Sequence, residues 1–226
     1  MGKYSNFKLS YVINCFYFIF FFHNKEDRIF FATGSILGPL LEIICINLGG
    51  GIWIYNNPAF FGIPLWLPIM WGFIFLITRR IRDVIFKMEH KQIHYYLHHK
   101  IKNNLHFLIF DISIYILIII LAINLWENNL LLFIILLIIL ILLITDFHDK
   151  EDIFFIVFSG TIAPILEFIC ISEGAWFYQN PTIFQIPLWL PIGYCIFAVI
   201  VRRASVIFLN YLYADAEKIS TTEKYF

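Results

Sequence analysis

The sequence predicts an all-α fold: a polytopic transmembrane bundle of seven helices, arranged 3+1+3 with parallel internal repeats. Three observations lead there. The 226 residues are 61% apolar and only 14% charged, with a mean hydropathy of +0.80. The apolar residues gather into seven stretches of near-spanning length. Two long segments of the chain repeat one another. A soluble domain usually carries about 25% charged residues, so a water-soluble globule is excluded. Lys plus Arg and Asp plus Glu balance at 16 each, which removes nucleic acid as an electrostatic partner.

A membrane-crossing helix needs about 20 mostly apolar residues. The stretches that meet this, in order, are 6–22, 29–48, 61–78, 105–126, 130–145, 153–172 and 184–201. The first follows a weakly basic start and has no small-residue cleavage site after it, so it reads as a retained span rather than a signal peptide. The first and fifth are short. The third and seventh each carry two prolines and should be kinked or unwound near their starts. All four cysteines sit inside apolar runs, where a thiol behaves as a small hydrophobe and no disulfide is expected. With 79–104 on the cytoplasmic side, fourteen of the sixteen basic residues fall inside, and the positive-inside rule then sets the N-terminus outside. The expected location is a bacterial or archaeal plasma membrane.

The duplication is direct. Residues 22–46 match 147–171 at an offset of 125, and 53–72 match 176–195 at an offset of 123. The chain therefore divides into a first three-helix repeat (1–80), a basic amphipathic segment with the linking fourth helix (81–127), a second repeat (128–204) and a tail (205–226). One linking helix makes the two copies parallel, a topology similar to that of SWEET-type transporters.

Paired motifs mark the candidate site. Glu42 and Glu167 are equivalent acids within spans 2 and 6. An ionisable residue at membrane depth costs about 2.5–3.5 kcal/mol and normally faces a cavity or a partner. Asp111, in the linking helix, is a third intramembrane acid without a counterpart. These three are the candidate catalytic residues, as acid–base groups. The alternative is that each Glu hydrogen-bonds a neighbouring helix, through Tyr55 and Tyr178 for example, and fixes packing. The loops Trp53-Ile-Tyr55-Asn-Asn57-Pro and Trp176-Phe-Tyr178-Gln-Asn180-Pro each lead into Ile-Pro-Leu-Trp-Leu-Pro, with Trp66 and Trp189. Interfacial anchoring explains aromatic loops. A repeated W-x-Y-x-N-P string also fits the lid of a site, and its aromatic faces suit a cation. Trp53, Tyr55, Asn57, Trp66, Trp176, Tyr178, Asn180 and Trp189 are thus the candidate substrate-binding residues. His90, His94 and His98 share a helical face, and H-x-x-x-H-H at 94–99 is similar to one histidine box of membrane di-iron enzymes, which use three. No metal or other cofactor is expected.

Glu42, Trp53, Tyr55, Gly62-Ile-Pro-Leu-Trp66 and Trp71 together resemble integral-membrane carotenoid-biosynthesis proteins of the hydratase type. That resemblance implies protonation or hydration of an isoprenoid-type lipid by Glu42 or Glu167. Two other readings stand beside it: a proton-coupled transporter of a small solute, and a structural or assembly protein. The expected partners are membrane lipids and an isoprenoid or small-solute ligand. The sequence names no protein partner.

Overall fold

The computed structural model describes residues 24–86, 104–147 and 150–222. These form six helices and two short strands: α1 (Lys25–Leu48), β1 (Trp53–Tyr55), α2 (Leu67–Phe86), α3 (Asn104–Leu125), α4 (Asn129–Phe147), α5 (Lys150–Ser172), β2 (Trp176–Tyr178) and α6 (Leu190–Thr222). Four helices are long and apolar enough to cross a membrane: α1, α3 from His106, α5, and α6 as far as Leu209. Helix α4 is a shorter apolar helix, and α2 ends in Arg79, Arg80, Arg82 and Asp83. Span 6–22, most of the basic segment and the histidines at 23, 90, 94, 98, 99 and 148 lie outside the described residues.

Helix α6 is the hub and packs on α1, α3, α4 and α5. Its stretch from Cys195 to Val201 is buried throughout. The tightest pairs are α1 with α2 and α5 with α6, the sequence-equivalent pairs of the two copies. The α1–α2 contact depends on small residues. A Cβ on Gly38 would enter the Trp71 indole, and one on Gly72 would strike Ser35 and Phe31. Small residues let membrane helices approach where apolar burial gives little driving force. Helix α3, which has no copy, lies along the α1–α6 side and donates its Tyr115 hydroxyl to the Leu37 carbonyl at 2.7 Å. Between α2 and α5 the contact is sparse.

Two boundaries differ from expectation. Apolar stretches predicted to cross from 61 and from 184 begin as non-helical turns, and the helices start at Leu67 and Leu190. Phe60 pairs with Ile63 and Ile183 with Ile186 around tight turns. The central residues of those turns, Phe61 (φ 47°) with Gly62 (φ 83°) and Phe184 (φ 52°) with Gln185 (φ 61°), have positive φ. Such a pair makes a type I′ turn. Pro64 and Pro187 come next and lack the N–H that would continue a helix backward. At their other ends α2 extends to Phe86 and α6 runs on to Thr222.

The all-α class holds, and the chain adds to it a two-stranded ribbon that the hydropathy pattern does not announce. Strands β1 and β2 pair antiparallel with Trp53 opposite Tyr178, Ile54 opposite Phe177 and Tyr55 opposite Trp176. Asn56 N–H to the Ala175 carbonyl and Gln179 N–H to the Ile52 carbonyl extend the ladder at 3.1 Å each. Both strands bury their Trp and Tyr and expose the residue between, as the two-residue period of a strand requires.

Candidate functional site

Glu42 stands one turn beyond Pro39 on α1, and Glu167 one turn beyond Pro164 on α5. Both are buried beneath the β1–β2 ribbon. Each accepts three hydrogen bonds from neutral aromatic donors. Glu42 receives Trp53 Nε1–H (3.3 Å) and the Tyr55 hydroxyl on Oε2, and Trp71 Nε1–H (2.6 Å) on Oε1. Glu167 receives Trp176 Nε1–H (2.9 Å) and the Tyr178 hydroxyl (3.1 Å) on Oε2, and the Tyr194 hydroxyl on Oε1. A buried polar group at membrane depth is tolerated when its hydrogen bonds are met inside the protein. Among the described residues, no Lys, Arg or His borders the chamber that either acid faces.

The six donors also pair with one another across the two copies. Trp53 lies against Tyr178 (ring centroids 5.9 Å apart), Tyr55 against Trp176 (5.4 Å) and Trp71 against Tyr194 (6.1 Å). Every pair joins a donor of Glu42 to a donor of Glu167. Trp71 and Tyr194 were missed as donors by sequence reasoning. The signal was present, because 71 and 194 are equivalent positions at the 123-residue offset, but the Trp-to-Tyr change hides a shared N–H/O–H function.

Both acids border one divided apolar chamber. On the α2–α5 side it has a volume of about 230 Å³, walled by Trp71, Phe75, Ile162, Ala163, Leu166 and Phe197 among others. On the α3 side a smaller lobe of about 80 Å³ touches Ile118, Ile119, Leu136 and Trp189. Ile162 and Leu166 are themselves exposed on the outside of α5. The larger lobe therefore lies between α2 and α5, directly behind side chains that are exposed on the surface of the described residues. Trp189 lines the smaller lobe, and its indole N–H is buried with no hydrogen-bond partner.

The other sequence-predicted residues do not join the chamber. Trp66 is half exposed and packs edge-on to Tyr55 at 6.2 Å, bracing the ribbon from outside. Asn57 is exposed. Asn180 ties the second loop to the α3–α4 turn, donating to the Glu127 carbonyl at 2.7 Å and accepting from Asn129 at 2.9 Å. Asp111 sits at the opposite end of the bundle. It is buried, with Oδ1 3.3 Å from Arg203.

That opposite end is an ion-pair lattice. Arg79 engages Glu26 and Asp27, and its repeat equivalent Arg202 engages Glu151 and Asp152. Arg82 reaches Glu151 at 2.6 Å, so one carboxylate joins the two halves. Arg80 and Arg203 add further pairs to Asp27 and Asp152. Among the described residues, no cluster of His, Cys, Asp and Glu is arranged to hold a metal.

No protein-family model matches the chain, and no curated protein does. Solved structures do. The fold is similar to the crystal structure of a mycobacterial Insig homolog, MvINS from Mycobacterium vanbaalenii, with a TM-score of 0.60 and 12% identity over 81% of this chain and 94% of that one. A cross-linked trimer of a cysteine variant of MvINS matches at the same TM-score and identity over 82% and 94%. At that identity the likeness is one of fold. The chain is a multi-pass integral membrane protein with an Insig-like arrangement of helices.

Proposed function

We propose that the protein is a membrane-embedded binding protein: it takes a small, mostly apolar molecule from the bilayer into the chamber between α2 and α5 and holds its polar end at Glu42 and Glu167. The observation that carries this reading is the shared void, apolar on its walls, bordered by two buried acids and by exposed apolar side chains of α5. Volume limits the guest. An apolar cavity of about 150 Å³ accommodates benzene; the larger lobe, at about 230 Å³, takes one ring with a short substituent, or the end of a longer lipid.

The binding reading is preferred to two others on chemical grounds. Alternating access requires the arginine end to open. Stranding one partner of a buried ion pair costs about 3–5 kcal/mol, and the lattice holds several such pairs. A purely structural role accounts for the hydrogen bonds and leaves the void without a purpose. The duplicated halves are read as parallel, with the ribbon on the outer face and the arginine end in the cytoplasm of a prokaryotic plasma membrane.

Four of the six tryptophans (Trp53, Trp71, Trp176 and Trp189) border the chamber, which supplies the test. Bromobenzene, a heavy-atom quencher of suitable size, should quench the fluorescence of the detergent-solubilised protein saturably. Filling the larger lobe with Ala163→Trp should remove the saturable component. Linear quenching, equal in the two proteins, would overturn the reading.

A further inference from the structure

We infer that the guest is an organic ammonium ion, held by Glu42, Glu167 and the aromatic rings around them. The inference rests on the binding reading above and assigns the ligand's chemistry. The first ground is charge. Two carboxyl groups share one apolar chamber, their six donors are all neutral, and among the described residues the lining contributes no basic side chain. The second is the wall. Trp53, Tyr55, Trp71, Trp176, Tyr178 and Tyr194 surround the acids in three cross-packed pairs. Aromatic faces attract alkylammonium groups through the ring quadrupole, and most strongly where water is excluded. A compact ammonium with methyl substituents fits a ring-sized void, whereas a hydrated metal ion does not match an apolar lining.

The test compares isosteres in displacing bromobenzene from the wild-type protein. Benzyltrimethylammonium and neopentylbenzene share shape and differ by one charge. The cation should displace the quencher at least tenfold more effectively, and Glu42→Gln combined with Glu167→Gln should remove the preference. If neopentylbenzene displaces bromobenzene as well as the cation does, or if neither displaces it, the ammonium inference fails while the chamber reading stands. If bromobenzene does not bind saturably in the first place, both readings fall. The isostere comparison uses only the wild-type protein, so it holds even if the double variant does not fold.

Discussion

Each carboxyl of the pair is a separate small energetic problem with the same solution. An acid placed at this depth carries an insertion cost of a few kcal/mol. Three neutral donors, at roughly 0.6–1.7 kcal/mol apiece in a membrane protein, offset about that much. The third donors are the informative ones, because they come from α2 and α6 rather than from the ribbon. Tyr194→Phe removes one hydroxyl and leaves the ring packing against Trp71. It should lower stability by about 1 kcal/mol in reversible SDS unfolding, and Trp71→Phe by at least as much, since Trp71 also fills the space that Gly38 leaves open. No loss in either variant would show the donors to be dispensable. At this scale the sequence was most readable where the two copies agree to the letter: Glu42 with Glu167, and Trp53-x-Tyr55 with Trp176-x-Tyr178. It was least readable where the partner is remote. Asp111 in an apolar run looks like a companion to the glutamates, and nothing nearby announces that Arg203, 92 positions away, is its partner.

Among the elements, the ribbon is where local rules gave least guidance. A three-residue strand is too short to carry a period, and the partner of Ile54 lies 123 residues away, so the pairing is a tertiary event. The exchange of Trp and Tyr across the central Ile54–Phe177 pair places each acid's donors over the other's. In an antiparallel ladder a directly hydrogen-bonded pair has Cα atoms about 5.5 Å apart, within the roughly 4.4–6.8 Å that a disulfide spans. Ile54→Cys combined with Phe177→Cys should therefore oxidise to an intramolecular bridge, seen as a loss of two hydrogens in the intact mass. Free thiols under the same oxidant would contradict the register. The helix starts misled for a different reason. Hydropathy does not separate a buried turn from a buried helix, and Phe60–Trp66 is as apolar as the first turns of α2. The prolines did signal the break, since a helix beginning at Leu67 and carrying Pro68 in its first turn agrees with proline's preference for that position. The remaining helices were legible because long apolar runs admit little else in a bilayer.

For the molecule as a whole, polarity is divided between two ends. One end is closed by aromatic donors on carboxyls, the other by arginines on carboxylates, and the apolar middle contains the chamber. The proposed orientation predicts that a cysteine at exposed Asn57 reacts with an impermeant maleimide in intact cells, and that one at exposed Lys150 reacts only after permeabilisation. The reverse pattern would invert the topology. The sequence conveyed this division through its basic residues and its repeats. It did not convey the asymmetry that α3 introduces, because only packing shows which side an unrepeated helix covers. The chamber's place between α2 and α5 has a kinetic consequence. On the binding reading, arrival and departure pass the same side chains, so bulk added at Ile162 or Leu166 slows both by a common factor. A change in the interior then alters affinity and residence time together, whereas a change at that threshold alters residence time alone.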